Sequence, residues 1–181
     1  MKTIALIFLC ADALAQTGTA SVRLNASQVQ DAWITNVENA VVSAAAALAE
    51  DKFAFAPANG AFHGVRTFGG QIKHLAANNY EVAARILGET SPHGEQGEEA
   101  PDSLRTKAEI VDYLKGSFLY LHRAVATITE NNQTEPIPGT KGTWQRTRLG
   151  LAVDAVAHSY DHYGQMVEYL RMNGVIPPAS R

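Results

Sequence analysis

Cysteine is almost missing from this chain: Cys10 is the only one in 181 residues. A single thiol allows neither an internal disulfide nor a cluster of thiolate metal ligands. Charge is sparse too, at 18% of residues, and the formal net charge is only -3. No block of like charge suggests a nucleic-acid surface or a polybasic anchor, so nucleic acid is not an expected partner. No apolar run is long enough to cross a bilayer. What is abundant is ordinary core material. Hydrophobic residues make up 46% of the chain, enough for one globular domain of this length and against a disordered one.

The first residues differ from the rest. Lys2 supplies a short positive region, Ile4 to Cys10 is apolar, and Ala13-Leu14-Ala15 offers small residues at a cleavage site. This is the pattern of a secretory signal. Residues 1–15 are therefore expected to be removed, 16–26 to form a polar lead and 27–178 to form the folded domain. Cleavage would take Cys10 with it, leaving a mature protein without a thiol and without a stable membrane anchor. The expected location is exported, either periplasmic or secreted. Asn25-Ala26-Ser27 and Asn132-Gln133-Thr134 match the glycosylation tripeptide, a pattern short enough to arise by chance.

Four helical patterns follow. Ser27 and Gln30 fit a capping box for a first helix over 27–51, whose apolar stripe reads Val29, Trp33, Val37, Val41, Ala44 and Leu48. A loop with Pro57, Gly60 and Gly64 carries Phe53, Phe55 and Phe62, expected to fold over one end of the core. The second helix spans 67–87 and stops at Gly88. Gly69 and Gly70 in its first turn weaken helix propensity but permit close approach. A third helix is expected over 103–130, with Leu104, Ala108, Val111, Leu114, Phe118, Leu121, Val125 and Ile128 as its stripe. The fourth runs from near Trp144 to Met172 and ends at Asn173-Gly174. No segment alternates with period two. Four amphipathic helices imply an all-α four-helix bundle. Connections of about 13–15 residues exceed what minimal hairpins need and leave room for a crossover.

Chemistry concentrates on the last helix, at His158-Ser159-Tyr160-Asp161-His162. Histidines at i and i+4 share a helical face, with Cβ atoms about 5–6 Å apart, a gap that a divalent ion about 2.0–2.1 Å from each nitrogen can bridge. Alone the pattern is weak: two partly buried, hydrogen-bonded imidazoles explain it equally. In helical projection both fall at one border of an arc centred on Leu149, Val153, Val156, Tyr160, Tyr163, Val167 and Leu170, and Asp161 falls on the outer face as a solvated group. A third ligand is needed. His74 is the best candidate, because Gln71 and Asn78 flank it at helical spacing and such a polar line is costly in a dry core without partners. Gln71, Asn78 and Gln165 are either support for a ligating histidine or ordinary boundary residues. His63 and His93 lie in loops, and His122 reads as a boundary residue.

Two stretches resemble a known family. Arg66-Thr67-Phe68-Gly69-Gly70-Gln71-Ile72-Lys73-His74-Leu75-Ala76 is similar to the second-helix signature of the DinB/YfiT-like metalloenzyme family. His158-Ser159-Tyr160-Asp161-His162-Tyr163-Gly164-Gln165, followed by Tyr169-Leu170-Arg171 and Gly174-Val175-Ile176-Pro177-Pro178, is similar to its last-helix signature. The resemblance implies up-down-down-up connectivity and a metal held by His74, His158 and His162. It also implies a metal-dependent enzyme acting on a small molecule, since characterised members include transferases that join low-molecular-weight thiols to electrophiles and thiol-dependent isomerases. An exported chain departs from members that use cytosolic thiols.

Three imidazoles would leave a divalent ion at least one open position, suited to thiol transfer or to hydrolysis; a non-catalytic metal- or ligand-binding bundle is the alternative. Zn²⁺ and Ni²⁺ are the first candidates, and Fe²⁺ and Mn²⁺ also accept imidazole. No general base stands out: Glu38 and Asn36 could reach the cavity but read as surface, and Tyr160 and Tyr163 read as core. Arg66 is placed either to orient an anionic substrate or to cap the helix. The alanine-rich first helix could pack against a copy of itself, giving a homodimer.

Overall fold

The computed structural model describes residues 23–93, 99–138 and 147–181. The expected signal segment, most of the polar lead and the start of the fourth helix at Trp144 lie outside these residues. The architecture is four long helices, α1 (Ala26–Ala47), α2 (Phe68–Leu87), α3 (Lys107–Val125) and α4 (Arg148–Met172), with no strand among the described residues. They form a four-helix bundle.

Each helix starts where a side chain satisfies its first free N–H groups. Asn25 and Gln28 make the capping box of α1, two residues earlier than the sequence suggests. Ser27 is spent otherwise: its hydroxyl donates to the Val125 carbonyl at 2.8 Å, tying α1 to the end of α3. Thr67 caps α2 through the Gly70 N–H at 3.0 Å. Thr106 and Glu109 form a second capping box, and this reciprocal pair sets the start of α3 at Lys107 rather than Ser103. Thr147 caps α4. Gly88 ends α2 in the left-handed conformation, φ +72°, which costs glycine little.

Helices α1 and α2 each pack against both α3 and α4. The four therefore stand in a square with α1 diagonal to α2 and α3 diagonal to α4. The connection between α1 and α2, residues 48–67, therefore joins opposite corners of the square. This crossing is anchored by its aromatics. Phe53 is buried against Phe68 with ring centroids 5.4 Å apart, and Phe55 meets Tyr169 at 5.8 Å. The Phe53 and Phe55 carbonyls accept the Gly69 and Phe68 N–H groups, each at 2.8 Å. A Cβ on Gly69 would lie 3.2 Å from the Phe53 carbonyl oxygen, so glycine here serves close packing. Phe62 departs from expectation and is exposed.

The core is formed by Ile34, Val37, Val41, Phe68, Leu114 and Phe118 among others, all fully buried. Two expected faces are rotated. On α1, Trp33 is 50% exposed and Val29 is also exposed, because Ile34 takes the inward position. On α4 the interior is Leu151, Ala152, Ala155, Ser159, His162 and Met166, whereas Val153 and Tyr160 are exposed and Tyr160 meets Trp33 edge-on at 6.4 Å. The inward face of α4 carries small and polar residues, so weighting by apolarity alone pulled its centre toward the Trp33 side. On α3, Ala108 is exposed for a related reason: with the helix starting at Lys107, its first turn is largely solvated.

His122 is more than a boundary residue. Its Nδ1 lies 2.6 Å from Asp31 Oδ1 and its Nε2 lies 3.1 Å from Glu38 Oε2. Carboxylates only accept, so both ring nitrogens donate and the ring is an imidazolium clasping α3 to α1. Burial works against that charge, but the two carboxylates outweigh it and hold the pKa above the usual histidine value. A raised folded-state pKa adds stability that is complete below the unfolded value of about 6.5 and is lost as pH rises through the folded one. Chemical denaturation from pH 6 to pH 9 should therefore show a stability decline that His122→Gln flattens. An unchanged slope in the variant would contradict the clasp.

Candidate metal centre

The sequence places Gln71 and His74 three residues apart on α2, and His158, His162 and Gln165 on one side of α4. These two helices pack together, and the structure brings His74, His158 and His162 into one cluster, with a ligand nitrogen from each within 4.8 Å of the others. His74 Nε2 lies 3.3 Å from His158 Nε2, and His162 Nε2 lies 3.0 Å from His158 Nε2. His74 and His162 are each only 5% exposed.

A run of hydrogen bonds fixes how His162 presents itself. Its outer end is the exposed Asp161 carboxylate, which can only accept. Gln165 Nε2 donates to Asp161 Oδ2 at 3.0 Å, so Gln165 Oε1 faces inward. That oxygen accepts from Gln71 Nε2 at 2.8 Å, which turns Gln71 Oε1 toward His162. His162 Nδ1 then donates to Gln71 Oε1 at 2.6 Å. The neutral ring has one N–H, now committed to Nδ1, so Nε2 presents a lone pair to the other two imidazoles. Amide orientation is often ambiguous; here the carboxylate at the end of the run decides it.

The ring is also kept neutral. Burial, then the neighbouring His158 and His74, push the His162 pKa down to about 4. A neutral imidazole with its second nitrogen held by a hydrogen bond is the form that ligates a metal. Donor spacing fits as well. Nitrogens about 2.0–2.1 Å from one ion lie roughly 2.8–3.0 Å apart at right-angle coordination and roughly 3.3–3.4 Å apart at tetrahedral angles. The observed 3.0 Å falls in the first range and 3.3 Å in the second, so the donor set suits a divalent ion without selecting which one.

Other sequence candidates lie elsewhere. Asn78 is half-buried and outside the run; its neighbour Asn79 is the buried one and donates to Ser117 at 3.3 Å. Glu38 serves His122, Asn36 is exposed, and His63 is exposed in its loop. His93 packs edge-on against Tyr80 and Tyr113. The Arg66 side chain is exposed, while its carbonyl accepts from the Tyr169 hydroxyl at 3.1 Å. Gln71 and Gln165 are the groups that support His162, a role that their identity alone does not distinguish from that of boundary residues. Its signal was spacing: Gln165 follows His162 by three and Asp161 by four, so it can reach both neighbours on the helix surface.

A cavity of about 390 Å³ adjoins the cluster, with His74 in its wall beside Phe53, Gly69 and Gly70. The fold and site thus define a helical bundle with a three-histidine cluster between two helices, two of its members buried and one of them held by a directional run of hydrogen bonds. Residues 34–166 match the family model described as the DinB superfamily. The match covers most of the chain and all three histidines, and the chain belongs to that superfamily. No curated protein matches it.

Proposed function

We infer that the chain is a metal-dependent enzyme that holds one divalent ion through His74, His158 and His162 and acts on a small molecule as a transferase or hydrolase. The observation that carries this reading is the hydrogen-bond run from Asp161 to His162, which leaves a bare ring nitrogen aimed at two other imidazoles. His162 Nε2 lies 3.0 Å from His158 Nε2, a separation that two nitrogens hold only with a proton or a cation between them.

With three protein ligands, a bound ion keeps a position open, where it can lower the pKa of water toward about 7 or stabilise a substrate thiolate. The residues of this chain supply what surrounds that position. Gln71, Gln165 and Asp161 hold His162 in one tautomer and one orientation. His74 and His162 are buried between α2 and α4, and the adjoining cavity gives a small molecule room beside His74. Calorimetric titration of metal-free protein with Zn²⁺ and with Ni²⁺ should reveal one site, absent in His158→Ala. Turnover of thiols with electrophiles, or of small esters and amides, should require both metal and His74. Metal binding without turnover in any such screen would leave a binding protein, and no metal binding would remove the proposal entirely.

Export is a separate proposal, resting on the pattern of residues 1–15. Intact mass of the protein recovered from the periplasm or medium should correspond to a chain beginning at Gln16. A full-length product held in the cytosol would contradict it.

A further inference from the structure

The cavity beside His74 is lined by three cations from two parts of the fold. Arg66 precedes α2, Lys73 lies on α2 next to His74, and Arg105 precedes α3. Among the described residues none of the three forms an ion pair. Lys73 Nζ has one polar contact, the Leu104 carbonyl at 3.4 Å. Arg105 donates its backbone N–H to Glu109 at 2.9 Å, and its guanidinium acts on that carboxylate only from beyond ion-pair distance. Glu99 and Asp102 also line the cavity, yet neither lies within ion-pair distance of the three cations, so one positive charge remains in excess. Elsewhere on the surface Arg123 and Arg171 each hold a carboxylate at 2.7 Å or less. Unpaired cations gathered on a concave wall repel one another and concentrate a positive potential, an arrangement suited to an anionic ligand.

We propose that Arg66, Lys73 and Arg105 form the anion-recognition wall of the substrate cavity and bind a carboxylate or phosphate group of the small molecule whose reacting end lies at the histidine cluster. This rests on the functional reading above, because it assigns the cavity to that site. The two guanidinium groups offer forked donors matched to such oxyanions, and the lysine adds a mobile point charge. Phe53, Gly69 and Gly70 supply a closely packed part of the wall.

The test uses calorimetry on the full folded domain at fixed ionic strength. In the first arm, metal-free protein is titrated with succinate and with inorganic phosphate. At least one should bind, the tighter one identifying the preferred oxyanion, and Arg66→Gln or Arg105→Gln should weaken it about ten-fold or more. In the second arm, metal-loaded protein is titrated with 3-mercaptopropionate and with the neutral 3-mercapto-1-propanol. The acid should bind at least about ten-fold tighter, and Arg66→Gln, Lys73→Gln and Arg105→Gln should each reduce that difference without changing metal content. Equal binding of acid and alcohol, or variants that weaken both alike, would overturn the proposal while leaving the metal centre standing. Failure to load metal with anion binding intact would overturn the metal reading alone. These variants sit on exposed or half-buried side chains, so loss of fold, checked by circular dichroism, is not expected.

Discussion

Saturating the metal-free protein with Zn²⁺ or Ni²⁺ is expected to raise its melting temperature by about 5–10 °C. A ligand at about 100 times its dissociation constant stabilises the folded state by about 2.7 kcal/mol, and a domain of this size shifts by about 2–4 °C per kcal/mol. The unfolded chain separates His74 from His158 by 84 residues, so only the folded state presents the three donors together. His162→Ala should reduce the rise to less than about 1 °C. The remaining two imidazoles lie on different helices, and the substitution also removes the donor to Gln71 Oε1. Differential scanning fluorimetry with and without chelator checks both expectations. An equal shift in the variant would mean that the ion binds elsewhere.

The second large effect concerns a residue that touches no ion. Gln71→Leu should weaken metal binding about 10–100-fold, the usual range when the group orienting a ligating histidine is lost. Leucine fills similar space at a position only 3% exposed, but it cannot accept the His162 Nδ1 proton. The ring is then free to place that proton on Nε2, where it blocks ligation. Asp161→Asn should do less, because an exposed amide can still accept from Gln165 but no longer forces the direction of the run. Measuring dissociation constants for both variants by competition with a chromogenic chelator distinguishes the orienting role from simple packing. If Gln71→Leu destabilises the metal-free protein yet binds metal as tightly as the wild type, Gln71 is a packing residue only.

Much of the site was legible in the chain, and the reasons differ by residue. The i, i+4 pair His158 and His162 was visible as spacing, and His74 as a polar residue in a line beside an apolar face. The resemblance of both helices to one family tied them together. What spacing could not show was direction. The sequence contains Gln71, Gln165 and Asp161, but only the packing of α2 on α4 reveals that they form one run with a carboxylate at its outer end. The rotation of α4 was hidden for a related reason. Its inward face carries Ala152, Ala155, Ser159 and His162, so the hydrophobic pattern pointed at Val153 and Tyr160 instead. His162 therefore sits nearer the middle of the buried face than its projected border position. Capping chemistry explains the shifted helix starts: Asn25 and Thr106 each had a glutamine or glutamate three residues on, and these pairs outcompeted Ser27 and Ser103. The His122 clasp was invisible because its carboxylates, Asp31 and Glu38, come from another helix.

The most direct test of the central claim is elemental analysis of the protein purified without chelator, beside a variant carrying His74→Ala, His158→Ala and His162→Ala. The wild type should contain about one equivalent of a divalent transition metal per chain, and the variant, still helical by circular dichroism, should contain less than about a tenth of that. Equal metal in both proteins, or none in a wild type offered Zn²⁺ and Ni²⁺, would contradict the assignment of this cluster as a metal centre.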